Sequence, residues 1–159
     1  YMTIIQITGT QETDKDVIMD LALKGAEKIL PKFHYVHFDF KIKKNIEESQ
    51  KAYERKIKEK IKRMKSKRMK NLIINCNFVE KMGDWYIITV TEKFFEDVKP
   101  DFIILMKNCK RQFDKNWEKI TETYILSRLK KKIKIIKVEE GNIKEAIKSL
   151  KRTLKLIMD

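Results

Sequence analysis

Apolar positions along the chain fall into two patterns. Short continuous runs occur at Ile4-Ile5-Gln6-Ile7-Thr8, Leu72-Ile73-Ile74, Phe102-Ile103-Ile104-Leu105-Met106 and Ile133-Lys134-Ile135-Ile136. They predict buried strands, and the alternation from Tyr35 to Phe40 predicts one more. Between the runs, apolar residues recur at helical spacing. Lys15 to Leu30 carries Val17, Ile18, Leu21, Ala22 and Ile29, and Pro31 stops it. Ile46 to Lys70 carries Ile46, Tyr53, Ile57, Ile61 and Met64 as one stripe on a long helix. Thr91 to Val98 reads as a short helix ended by Lys99-Pro100. Asn108 to Lys130 is helical, with Phe113, Trp117, Ile120, Tyr124 and Leu129 on one side. Asn142 and Glu145 form a capping box ahead of a last amphipathic helix, Ile143 to Met158. Asp84 to Val90 reads equally as a fourth strand or a loop.

The resulting order is β-α-β-α-β-(α)-β-α-β-α. Continuous apolar strands alternating with helices predict an α/β fold with a parallel sheet covered on both faces. The 159 residues suit one domain of ordinary size, 1–159, and no linker or repeat divides them.

Charge changes the picture more than hydropathy does. Charged residues make up 38% of the chain, against the usual share of about 25%. Lys and Arg number 37 against 23 Asp and Glu, a net +14. Most of that excess lies between Lys43 and Lys70, where thirteen Lys or Arg face four Glu. Such a surface suits a polyanionic partner. The bland reading is a solvated face in a Lys-rich protein. Abundant Lys and Ile with only 4 Gly suit a thermophile, and an AT-rich genome gives the same bias. No apolar run approaches the ~20 residues of a membrane span, and no secretory pattern opens the chain. Two cysteines, Cys76 and Cys109, make neither a disulfide framework nor a four-ligand zinc site. A cytoplasmic protein without membrane association is expected.

In open α/β sheets the ligand sits at the carboxyl ends of the strands. The first strand-to-helix turn reads Gly9-Thr10-Gln11-Glu12-Thr13-Asp14-Lys15-Asp16. The phosphate-binding P-loop is G-x-x-x-x-G-K-[ST] in this same context. Gly9 and Lys15 match it; Asp14 replaces the second Gly and Asp16 the Ser/Thr. Further segments run in parallel: I-I-Q-I-T-G-T (Ile4 to Thr10), N-L-I-I-N-C-N-F-V-E-K (Asn71 to Lys81), V-K-P-D-F-I-I-L (Val98 to Leu105), and the I-K-I-I-K-V strand with the last helix (Ile133 to Met158). In that order they resemble the archaeal adenylate kinases, P-loop nucleoside monophosphate kinases, over most of the chain. The resemblance implies a three-layer P-loop fold with a five-stranded, mostly parallel sheet. It implies nucleotide held by Gly9, Thr10, Thr13, Asp14, Lys15 and Asp16, and γ-phosphoryl transfer from Mg-ATP to a nucleoside monophosphate. Lys15 would hold phosphate, Asp16 would help hold Mg²⁺, and Arg111 and Arg128, in a reduced lid at about 108–130, would neutralise the transferring group.

Several residues depart from the family pattern. Asp14 brings a side chain and a negative charge into a nest of N–H groups. Like charges about 4 Å apart repel by on the order of 4 kcal/mol at an effective dielectric of 20. Asn75 stands where the family has an acid at the end of the third strand, and the stretch from Phe40 to Ile46 is short for an acceptor-nucleotide segment. These features point to impaired catalysis. The alternative is a non-catalytic kinase-fold module that binds RNA, or an acidic protein, through Lys58, Lys62, Arg63, Lys65, Lys67 and Arg68. Other candidates read as structural. His34 and His37 face opposite sides of a strand. Cys76 reads as a core thiol without a base, Trp85 and Trp117 as packing residues, and Lys15 itself, on the bland view, as a solvated lysine at a helix start.

Overall fold

The computed structural model describes residues 1–9, 15–28, 30, 32–108, 115–128, 132–138 and 143–158. Five strands form one sheet: β1 (Thr3–Gly9), β2 (Phe33–His37), β3 (Asn71–Asn75), β6 (Phe102–Asn108) and β7 (Lys132–Val138). Their order is β2-β3-β1-β6-β7, and every ladder is parallel. Helices α1 (Lys15–Leu23) and α5 (Ile143–Met158) cover one face. Helices α2 (Ile46–Ser66), α3 (Glu92–Val98) and α4 (Lys115–Arg128) cover the other. A hairpin, β4 (Val79–Met82) with β5 (Trp85–Ile88), stands apart from the sheet.

The two-residue period of a strand divides the core. On β1, Ile4 belongs to the α2-side cluster, while Ile5 and Ile7 belong to the α1-side cluster. Helix α2 starts where the Asn45 side chain accepts the Glu48 N–H at 2.8 Å. Its first turn carries Glu47 and Glu48 and its last turn Arg63 and Lys65, which complement the helix dipole. Tyr53, Ile57, Ile61 and Met64 are buried from it, and burying an apolar side chain of this size contributes about 1.5–3 kcal/mol.

Several boundaries differ from the sequence expectation. Helix α1 ends at Leu23 rather than Leu30, because Gly25 takes φ +73° and turns the chain into a single 3₁₀ turn, Ala26–Lys28. Its buried face is Lys15, Ile18, Met19, Ala22 and Leu23, whereas Val17 and Leu21 are exposed. Strand β2 lies two residues earlier than expected and stops at His37; Phe38 and Phe40 pack on the core from the segment that follows. Helix α2 ends at Ser66, four residues short, and Ile46 is exposed. Asp84 to Val90 resolves into β5, and β4 precedes it as its antiparallel partner across Gly83 at φ +58°. Asn108 closes β6, so α4 begins only at Lys115. Ile29, Pro31, Phe113, Leu129 and the Asn142 cap lie outside the described residues.

Candidate functional site

The chain leaves β1 toward the β2 side of the sheet and leaves the adjacent β6 toward the β7 side. The crevice between their carboxyl ends is the switch point where such sheets take ligands. Gly9 ends β1 there, paired in register with Met106, and Lys15 opens α1 just above.

Lys15 is not the solvated lysine of the bland reading: its side chain is only 3% exposed. Its ammonium donates to Oδ1 of Asn77, and the Asn77 amide donates to Oε1 of Glu80 at 3.1 Å. The Asn77 carbonyl accepts from the hydroxyls of Thr89 (2.8 Å) and Tyr53 (3.2 Å), so the loop after β3 is held from two sides. Burial pushes the Lys15 pKa down, against the pull of nearby Cys76, Asp16, Glu80 and Asp39. Burial also pushes the Glu80 carboxyl up. Behind them Cys76 is fully buried, accepts from Gln6 Nε2 at 2.7 Å, and has its thiol raised by burial to about 11. It is the core thiol expected, not a nucleophile.

A second set of groups lies across the strand ends. The Asn75 amide donates to Oδ1 of Asp16 at 2.8 Å and to the Tyr35 hydroxyl at 2.9 Å. Asp16 Oδ1 is also 3.7 Å from Nε2 of His37, which lies 3.1 Å from Asp39 Oδ1. The resemblance expects a hydroxyl at position 16 and an acid at position 75. Here the carboxylate is on the helix and the neutral amide on the strand, so one negative charge remains between them. Thr8 Oγ1 and Asn75 Oδ1 are buried without a partner among the described residues, which leaves polar atoms at this end of β1 and β3 open to a bound group.

Among the described residues no group of three or more His, Cys, Asp or Glu could hold a metal by itself. Mg²⁺ asks less, because it is held by one or two carboxylates and completes its shell with waters and phosphate oxygens. Asp16, with a side chain 58% exposed, fits as one such ligand.

Of the other candidates, Thr10, Thr13, Asp14 and Arg111 lie outside the described residues, and Arg128 is the last residue of α4. Lys62, Arg63, Lys65, Lys67 and Arg68 are exposed around the end of α2, but Lys58 is taken up in an ion pair with Asp97 at 2.7 Å. Lys107 pairs with Glu122 at 3.2 Å. Trp117 packs in the core and donates to the Val79 carbonyl at 2.8 Å. Trp85 does not pack: it is 77% exposed on the hairpin, because β5 lies off the sheet. The site residues that motif reading missed are Asn77, Glu80 and Tyr53. The first two sit within the quoted segment after β3, where only the neighbouring Asn75 and Cys76 drew notice.

The parallel sheet, its strand order and the helix layers define the fold of the P-loop nucleotide kinases. Among solved structures, the chain is similar to the thymidylate kinase from Candida albicans, with a TM-score of 0.59 at 11% sequence identity, over 98% of this chain and 92% of that one. No protein-family model and no curated protein sequence matches the chain. No helix among the described residues is long and apolar enough to cross a membrane.

Proposed function

We propose that residues 1–159 act as one nucleotide-binding domain of the nucleoside monophosphate kinase type, holding ATP or a related nucleotide over the carboxyl end of β1, between β3 and β6. The observation that carries this reading is Lys15. A lysine at a helix start is unfavourable to the helix dipole, and a buried ammonium is costly unless something uses its charge. Lys15 is both, six residues after Gly9 in the chain and at the first position of α1. The likeness to a thymidylate kinase supports the same reading at the level of fold.

In this reading Lys15 exchanges its bond to Asn77 for the β- and γ-phosphates, and the backbone from Gly9 to Lys15 cradles them. Asp16 is the protein ligand for Mg²⁺, which when bound neutralises charge on the transferring phosphoryl group. Arg111 and Arg128 supply further positive charge. Asp14 and Glu12 oppose the anion, so weak binding and slow transfer are expected relative to a glycine-rich loop. The sequence resemblance favours adenine nucleotides.

The test is thermal unfolding with Mg-ATP, comparing the parent with Lys15→Met. A ligand specific to the folded state adds about 2.7 kcal/mol at a hundred times its dissociation constant. Stabilisation in the parent that Lys15→Met loses supports the reading, and coupled assays with nucleoside monophosphates then follow. No stabilisation in the folded parent overturns it.

A further inference from the structure

At the opposite pole, where β1, β3 and β6 begin, lies an open groove of about 1120 Å³ between the ends of α2 and α3. That exceeds the ~300–1,000 Å³ usual for a small-molecule site. Four cations line it: Lys65, Arg68, Lys70 and Lys99. None of them forms an ion pair with another described residue. Three carboxylates share the groove: Asp97 is ion-paired with Lys58 at 2.7 Å, whereas Asp101 accepts from a neutral donor, the Ile4 N–H at 2.8 Å. Glu96 is the third.

The backbone singles out two of the cations. Arg68 (φ 57°) and Lys99 (φ 49°) are the non-glycine residues with positive φ among those described. Both occupy left-handed positions that end helices. After α2, Met69 N–H reaches the Met64 carbonyl and Arg68 N–H the Lys65 carbonyl, both at 3.0 Å, a Schellman ending in which glycine is the usual residue at position 68. Lys99 closes α3 through the Phe95 carbonyl at 3.2 Å, and the following Pro100 narrows its conformations further. Glycine would relieve both positions. The chain instead places a long cation at each, and both line the same groove.

We propose that this groove binds the phosphate backbone of a single-stranded nucleic acid, independently of the nucleotide site. A compact anion would engage the groove alone. A chain of phosphates would also use the exposed cations Lys62, Arg63 and Lys67 that lead out of it along α2. Met69, half-buried at the groove, offers apolar contact to a base or sugar.

The experiment is fluorescence anisotropy of the full chain with a labelled RNA of about 12 nucleotides, within the ~4–16 nucleotides that single-strand binding sites span. Four phosphate contacts in the groove and three along α2 predict that log K falls with log salt at a slope of about −5. Arg68→Gly/Lys99→Gly should reduce that slope by about 1.4. The same double variant should melt no lower than the parent, because glycine takes positive φ freely. Weaker binding with undiminished stability supports the proposal, and Lys15→Met should leave the binding unchanged. No binding at low salt, or an unchanged slope in the double variant, overturns it. So does equal competition by inorganic tripolyphosphate, which assigns the groove to a compact anion, or by a glutamate peptide of equal charge, which assigns it to an acidic protein.

Discussion

The ammonium of Lys15 donates to the side-chain carbonyl of Asn77, 62 positions along the chain, in a setting where Lys15 is 3% exposed. This bond joins the start of α1 to the loop leaving β3, the two segments that frame the proposed nucleotide site. Asn77 also donates to Glu80, so its amide relays between a cation and a carboxyl that burial has driven toward their neutral forms.

Removing the relay should expose that dependence. Asn77→Ala leaves a buried ammonium without its acceptor and should cost about 2 kcal/mol in urea unfolding. In Lys15→Met the same substitution should cost much less, because the charge to be solvated is gone. A double-mutant cycle reads the coupling directly; strict additivity would mean that Lys15 finds another acceptor.

Cys76 sets an alkaline limit on stability. Unfolded, its thiol ionises near the ordinary 9.0; folded, near 11. Between those values the unfolded state binds fewer protons than the folded one, so stability falls as pH rises. The gap corresponds to about 3 kcal/mol, fully present below pH ~9 and lost by ~11. Buried Tyr53, also raised, adds a loss in the same direction above its ordinary value. Comparing the parent with Cys76→Ala by denaturant unfolding at pH ~8 and ~10.5 isolates the cysteine: the variant should show the shallower decline.

Glu54 ties two helices together. Its Oε1 accepts both the backbone N–H and the hydroxyl of Thr91 at 2.6 Å, and Glu54 is 7% exposed. Thr91 is the N-cap of α3, and its hydroxyl, instead of capping the helix, donates to Glu54 of α2, which thereby fixes the cap residue in place. Glu54→Ala should cost about 1.5–3 kcal/mol, as hydrogen bonds to charged groups do. In hydrogen exchange the amides of α3 should lose protection before those of α2. Equal loss across both helices would mean that the carboxylate does not act as the cap.

How much of this was legible in the sequence varies by element. The runs at Ile4, Leu72 and Phe102 announced strands buried on both faces, and they are the central strands of the sheet. Tyr53, Ile57, Ile61 and Met64 marked the buried stripe of α2 because helical period is a local property. In α1 the same spacing marks Ile18 and Ala22, which are buried, together with Val17 and Leu21, which are exposed, because a helix of nine residues offers too few turns to separate neighbouring faces. Gly9 and Lys15 match two positions of a phosphate-loop motif in the sequence, and they stand at the end of β1 and the start of α1. The partners of Lys15 were not legible, since Asn77 and Glu80 carry no motif and matter only through distance.

The sequence by itself determined the alternation of strand and helix, the charge of α2 and the strand-turn-helix setting of Lys15. All of these follow from residue type and short-range spacing. Tertiary structure alone decided the strand order β2-β3-β1-β6-β7, the removal of β4 and β5 into a separate hairpin, the burial of Lys15 and the meeting of Arg68 with Lys99 in one groove. Apart from the β4–β5 hairpin, whose own pairing is local, each of these depends on segments far apart in the chain. Which segments meet is settled by the joint burial of both sheet faces, and no local pattern encodes it.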